Sequence, residues 1–137
     1  MLNNLNIQIT HFGDRAYYSS MNDVITIPKK QRFNSENDYY ATLFHEIIHW
    51  TGGEKRLGRK SAKLYGQDDK CRAEEELIAE IGSVFLTTHF NVTGELKNHA
   101  SYIQYWKQNL DKQVVARAAI QAAKAFSWVI QAVRTDP

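Results

Sequence analysis

The segment from Ser35 to Gly53 constrains the fold most, because its pattern is typical of one amphipathic helix with two unlike faces. Ser35 is a favourable N-cap, and Asp38 stands three residues later, where a capping box has its acid. The apolar residues share one face: Tyr40, Leu43, Ile47 and Trp50. The polar residues share the opposite face: Asp38, Thr42, His45, Glu46 and His49. The helix is therefore predicted to end after Thr51, at Gly52-Gly53, and to pack on a core through its apolar face.

The chain before this helix is predicted to form a small antiparallel sheet. Apolar and polar residues alternate around Leu5, Ile7 and Ile9, and again from Val24 to Ile27. A further short strand covers residues 16–19, and the polar residues 20–23 are typical of a hairpin turn.

Three more helices are predicted after the first, over residues 72–90, 98–110 and 112–133. Asp111 is placed to cap the last of them, and the stretch from Asn91 to Gly94 interrupts the pattern between the first two. Strands followed by helices indicate an α+β domain. The sequence thus predicts one domain over residues 1–137, with a small antiparallel N-terminal sheet packed on a bundle of about four helices.

Composition excludes several classes of protein. A formal net charge of +2 is too small for a protein that holds nucleic acid by its phosphates alone. No apolar run approaches the roughly 18 residues that cross a bilayer, so no membrane association is expected. The single cysteine, Cys71, cannot form an internal disulfide, and the first residues lack the basic and apolar parts of a signal peptide. We therefore expect a cytoplasmic protein.

Residues 45–49 have the pattern His-Glu-x-x-His. On a helix, His45 and His49 point the same way from successive turns and can bind one metal ion, while Glu46 lies about 100° around the helix beside them. Two other interpretations stay open: ordinary helix histidines without a metal, or ligands in a carboxylate-bridged di-iron bundle. The bundle needs a second Glu-x-x-His segment, and neither Glu76 nor Glu80 has a histidine three residues later.

A catalytic zinc site needs a third protein ligand and leaves its fourth position to water. The strongest candidates lie on the predicted second helix, at Glu75, Glu76 and Glu80. We expect Glu76 to complete the metal site, and Glu80 to accept a hydrogen bond from the ring nitrogen of His45 or His49 that faces away from the metal. Glu75 and Glu80 stay open as alternative ligands, and a solvated acidic face is the alternative to all three.

Several ordered motifs give the chain its resemblance to a known family. They are His-Glu-Ile-Ile-His-Trp-Thr-Gly at residues 45–52, Glu-Glu-Leu-Ile-Ala-Glu at residues 75–80, and His-Ala-Ser-Tyr-Ile at residues 99–103. Together they resemble the C-terminal zinc-metallopeptidase-like domain of ArdC-type plasmid antirestriction proteins, over nearly the whole chain. The resemblance implies a zincin-like fold, a glutamate of the following helix as the third zinc ligand, and an origin in a plasmid or other mobile element.

The expected activity is hydrolysis of a peptide bond. Zn²⁺ bound by the two histidines and Glu76 would lower the pKa of its remaining water and polarise the carbonyl of the scissile bond. Glu46 is then expected to act as the general base. His99 and Tyr102, which also occur in the family's pattern, are candidates for the donor that stabilises the oxyanion. A capping histidine and a core tyrosine are the alternatives for these two residues.

The expected partner is a peptide or protein substrate of unknown sequence. The basic loop from Lys55 to Lys63 could also contact an acidic substrate or single-stranded DNA, although such runs are usually solvated. Members of the ArdC family carry an N-terminal domain that binds single-stranded DNA, and residues 1–34 here are already assigned to strands. Two alternatives to a peptidase stay open: a zincin-fold accessory module that binds DNA or protein without catalysis, and a helical interaction domain without metal.

Overall fold

The computed structural model describes residues 2–92, 96–108 and 110–134, and has three strands followed by five helices. The strands are β1 (Gln8–His11), β2 (Tyr17–Ser19) and β3 (Val24–Ile27). The α-helices are α1 (Glu36–Thr51), α2 (Lys60–Lys63), α3 (Asp69–His89), α4 (Leu96–Lys107) and α5 (Lys112–Arg134). Short 3-10 helices cover Leu2–Leu5 and Lys30–Arg32. The α+β class and the four long helices are confirmed, and α2 is an additional single turn within the basic loop.

The sheet is mixed, so the predicted antiparallel arrangement is wrong for one of its two pairings. β3 lies in the centre and pairs antiparallel with β2, but it pairs parallel with β1, with Gln8 opposite Val24. The alternation of side chains reports which face of a strand is buried, and it carries no information about which strand is the neighbour. The connection between β1 and β2 crosses to the far side of β3, which leaves β1 and β3 pointing the same way.

Helix α1 begins and ends where the sequence predicts. The Ser35 hydroxyl accepts a hydrogen bond from the backbone N–H of Asp38 at 3.1 Å, and the helix ends at Thr51, before Gly52. Its predicted apolar face is buried against the sheet and the other helices, with Leu43 and Ile47 at most 2% exposed. The opposite face, with its histidines, is therefore free to line a cleft.

Helices α1 and α3 approach each other closely at Gly82. A Cβ at this position would lie 2.8–3.0 Å from three side-chain carbon atoms of Ile48, so only glycine fits without movement. The neighbouring small residues Ala79 and Ser83 are fully buried. Helix α3 starts three residues earlier than predicted, because the carboxylate of Asp68 accepts hydrogen bonds from the first backbone N–H groups and acts as N-cap.

Helix α5 closes the core on the side away from the cleft. Asp111 caps it as predicted, accepting a hydrogen bond from the N–H of Val114 at 2.9 Å. The predicted interruption before α4 agrees with the end of α3 at His89, but Thr93 and Gly94 lie outside the described residues. Across the part of the chain that the structure describes, no helix is both long and apolar enough to cross a membrane.

Candidate metal centre

The side chains of His45, His49 and Glu76 converge between α1 and α3. One carboxylate oxygen of Glu76 lies 3.2 Å from Nε2 of His45, and the other lies 3.4 Å from Nε2 of His49. One donor atom from each residue can be chosen so that all three lie within 4.8 Å of one another. Two imidazole nitrogens and a carboxylate oxygen at this spacing form a donor set that suits a single divalent ion.

The second nitrogen of each imidazole is bonded to a different carboxylate. Nδ1 of His45 lies 2.9 Å from Glu80, and Nδ1 of His49 lies 2.9 Å from Glu75. A carboxylate only accepts, so each Nδ1 carries the proton and the lone pair of a neutral ring is on Nε2, facing Glu76. Among the three glutamates considered as a third ligand, Glu76 is the one whose carboxylate faces both Nε2 atoms.

A buried network fixes Glu75 behind His49. The guanidinium of Arg59 donates to both carboxylate oxygens of Glu75, at 2.9 and 2.8 Å, and the Ser61 hydroxyl donates to one of them at 2.9 Å. Burial acts to raise the pKa of Glu75, but the hydrogen bonds from Arg59 and His49 outweigh it and lower that pKa to about 2. Glu75 is therefore a carboxylate at neutral pH, with its oxygens already occupied.

The electrostatics of the three converging side chains also fit a cation. Burial acts to lower the pKa of His45, but hydrogen bonds with Glu76 and Glu80 outweigh it and raise that pKa to about 9. The pKa of His49 is raised in the same way by Glu75 and Glu76, and against the effect of burial the two histidines hold the pKa of Glu76 well below its usual range. The carboxylates around the two rings thus favour positive charge at this place, which is what a site for a divalent ion requires.

The predicted general base, Glu46, lies beside this centre and is 7% exposed. Glu46 and His45 both line two neighbouring cavities, one of about 480 Å³ and one of about 500 Å³. The centre therefore lies between two spaces, each of a size that accommodates part of a ligand.

His99 and Tyr102 come from α4 and line the cavity of about 480 Å³. Nδ1 of His99 lies 2.9 Å from the second oxygen of Glu80, so that one carboxylate connects His99 to His45. Nε2 of His99 is buried and has no hydrogen-bond partner among the residues that the structure describes. Tyr102 is 55% exposed, which rules out the alternative that it is a core tyrosine.

Two residues at the centre were not predicted from the sequence. The hydroxyl of Tyr65 donates to Glu76, and its ring packs edge-on against His49. Arg59 belongs to the basic loop that is expected to be solvated, yet it is 5% exposed and is bonded to Glu75. Gly52 lies so close to Arg59 that a Cβ there would be 2.8 Å from its guanidinium. This contact is visible only in the structure, so the sequence could not have identified Arg59 by it.

The basic loop is only partly available to a partner. Besides Arg59, Arg56 is engaged: its guanidinium stacks on Trp50 at 4.1 Å and forms an ion pair with Asp23. The exposed cations that remain within the loop are the lysines: Lys55, Lys60 and Lys63. The two arginines thus serve the fold, and the expectation that the whole run is solvated is wrong for them.

Comparison with known proteins assigns the family. Residues 1–124 match a family of zincin-like metallopeptidases. The chain belongs to this family. Two proteins of Escherichia coli, both named DNA primase TraC, are 39% identical to it over 125 and 119 residues, which is 89% and 85% of this chain. The chain covers 8% and 11% of these two proteins, so it corresponds to a small part of each.

Solved structures of a second relative have the same fold. The Mn(II)-bound crystal structure of the antirestriction protein ArdC from plasmid R388 matches 98% of this chain with a TM-score of 0.82 and 35% identity. Its metal-free structure matches 98% of the chain with a TM-score of 0.79 and 36% identity. The chain spans about half of ArdC, 51% and 50% in the two structures. The resemblance to ArdC-type proteins and the zincin-like fold are thus confirmed.

Proposed function

We propose that this chain is a zinc-dependent peptidase domain in which His45, His49 and Glu76 bind the metal. The observation that carries the proposal is the convergence of their three donor atoms within 4.8 Å, together with the carboxylate behind each imidazole. Two histidines and a glutamate are a donor set that proteins use for catalytic zinc, with one position left for water. The Mn(II)-bound structure of ArdC supports metal binding by a relative with this fold.

The surrounding residues supply the remaining chemistry of peptide hydrolysis. A divalent ion held by His45, His49 and Glu76 would lower the pKa of a bound water and polarise a carbonyl. Glu46 accepts the proton of the attacking water on its carboxylate and passes it to the leaving amine. His99 lines the cavity of about 480 Å³ with its Nδ1 held by Glu80, and its Nε2, which has no partner among the described residues, is the nitrogen we propose as a donor to the developing oxyanion. Tyr102 is the second candidate donor, and its exposure lets the hydroxyl move towards a bound substrate.

The substitution Glu46→Gln tests this proposal. Purified protein is loaded with zinc, its metal content is measured by elemental analysis, and hydrolysis of a degenerate peptide pool is followed by mass spectrometry with and without chelator. We expect Glu46→Gln to keep its zinc and to lose chelator-sensitive hydrolysis by about 10²–10⁴-fold.

Glu54→Gln is the matched control, because Glu54 is exposed in the loop after α1 and should affect neither property. Wild-type hydrolysis in Glu46→Gln would remove Glu46 from its role. A wild-type protein that binds no zinc would overturn the proposal as a whole.

The second candidate function is an accessory module that binds DNA or protein without catalysis. It is favoured by the names of the relatives, DNA primase and antirestriction protein, of which this chain covers only a part. Zinc binding without chelator-sensitive hydrolysis of any peptide would support this function over a peptidase. In either case we infer a cytoplasmic setting, which the single free cysteine and the similarity to a plasmid protein support.

A further inference from the structure

We propose that the cavity of about 500 Å³ on the Tyr65 side of the metal centre binds an acidic side chain of the substrate, through Arg15 and Arg72. This inference rests on the proposed peptidase function, because it names the class of substrate that the same centre takes. Three features carry it: an arginine beside the metal ligand without a carboxylate partner, a second arginine that also lines the cavity, and the neutralisation of the acidic groups there.

Arg72 lies one helical turn before Glu76 on α3, a spacing at which an arginine and a glutamate normally pair. No ion pair of Arg72 with a carboxylate occurs within the described parts of the chain. The reason is that the hydroxyl of Tyr65 and the two histidines already occupy the oxygens of Glu76. The guanidinium of Arg72 instead lies over the ring of Tyr65, with its carbon 5.9 Å from the ring centroid. It thereby lies close to the metal centre, exposed and without an ion pair to any carboxylate of the described residues.

Arg15 also lines the cavity, just before strand β2. Its side chain is exposed and forms no hydrogen bond or ion pair with any other described residue. A planar guanidinium recognises a carboxylate through two parallel hydrogen bonds, so a pair of arginines is suited to an aspartate or glutamate side chain.

The acidic residues of this cavity do not cancel the two arginines. Glu75 is neutralised by Arg59, and a divalent ion held at the proposed centre would balance the charges of Glu46 and Glu76. The two guanidinium groups are therefore left in excess on this side. The cavity of about 480 Å³ on the other side of His45 differs, because its lining contains Arg32 together with Asp38. The difference predicts a preference for an acidic residue on one side of the scissile bond only.

The test uses binding, so that it does not depend on hydrolysis. The zinc-loaded Glu46→Gln protein is immobilised and incubated with a degenerate octapeptide pool, and the bound peptides are sequenced by mass spectrometry. We expect aspartate and glutamate to be enriched about threefold to tenfold over the input pool, as two partly solvated ion pairs would give. The double substitution Arg15→Gln/Arg72→Gln in the same protein should abolish the enrichment, and raised salt should reduce it.

Arg32→Gln is the matched control, since it removes an arginine from the other cavity. An enrichment that is absent, that survives the double substitution, or that is lost equally in Arg32→Gln would overturn the inference. Hydrolysis of the same pool by the wild-type protein is scored separately. Its absence would count against the peptidase function, while the binding result would still decide the acidic subsite.

Discussion

Replacing Arg59 by methionine tests the buried network behind the candidate centre most directly. Methionine is a long unbranched side chain without charge, so Arg59→Met leaves the carboxylate of Glu75, which is 1% exposed, without its counter-ion. Among the described residues, Ser61 and His49 remain as donors to this carboxylate. Removing one partner of a buried ion pair costs about 3–5 kcal/mol. This is a large share of the roughly 5–15 kcal/mol by which a domain is stable.

The double variant Arg59→Met/Glu75→Leu separates stability from metal binding. Replacing both members of a buried pair by apolar groups leaves stability unchanged or improves it, but the Nδ1–H of His49 and the hydroxyl of Ser61 then lose their acceptor, at a cost of about 1–3 kcal/mol each. The double variant is therefore expected to be about as stable as Arg59→Met. Its zinc affinity should nevertheless fall about 10–100-fold, because nothing orients the ring of His49.

Urea unfolding followed by tryptophan fluorescence measures these stabilities, since Trp50 is buried in the core. With a slope of about 1–3 kcal/mol per molar urea, a loss of about 3–5 kcal/mol in Arg59→Met should lower the unfolding midpoint by about 1–5 M. Lys60→Met, at the exposed neighbouring position, is the control and should change stability by less than about 0.5 kcal/mol. Zinc affinity is measured by competition with a chromogenic chelator. An Arg59→Met protein as stable as the control, or a double variant with wild-type zinc affinity, would refute the reasoning.

Three further predictions concern the helix contact, the helix cap and the metal. Gly82→Ala forces a Cβ against Ile48, so we expect the free energy of unfolding in urea to fall by about 1–3 kcal/mol. Adding Ile48→Val to the same chain should partly restore it. An unchanged free energy of unfolding would mean that the two helices separate freely. Ser35→Ala removes the N-cap of α1 and should lower the free energy of unfolding by about 1 kcal/mol. Zinc affinity should not change, because the cap lies at the other end of α1 from the histidines, and weaker zinc binding would contradict this. Zinc at 100 times its Kd should add about 2.7 kcal/mol to the free energy of unfolding, measured as a rise in Tm. An equal rise in His49→Ala would locate the ion elsewhere.

The helices of this protein could be predicted from the sequence because their signals are local. Ser35 and Asp111 are caps with partners within three residues, and the burial of α1 follows from the spacing of its apolar side chains. The grouping of His45 and His49 follows from the same spacing. That Glu76 faces them depends on how α3 crosses α1, and the structure brings these helices into close contact at Gly82.

The features that sequence reasoning missed depend on contacts between distant residues. The parallel pairing of β1 with β3 is set by the route of a connection, which no alternation pattern contains. Arg59 stands in a run whose lysines are exposed, and its buried partners, Ile48, Thr51 and Glu75, lie eight to sixteen positions away along the chain. Tyr65 reaches Glu76 because α2 turns back towards α3, and an isolated tyrosine in a loop has no sequence signal for such a role.

Packing and metal binding depend on the same pair of helices. The two imidazoles of the candidate centre project from α1, and the three carboxylates around them project from α3. The distance between these helices is set where Ile48 lies against Gly82, two turns along α3 from Glu75. The Nε2 atoms are now 3.2 and 3.4 Å from the carboxylate of Glu76, and productive metal geometry tolerates errors of only about 0.5 Å. We therefore predict that a larger side chain at the Gly82 contact would change the metal affinity of the candidate centre without touching a proposed ligand.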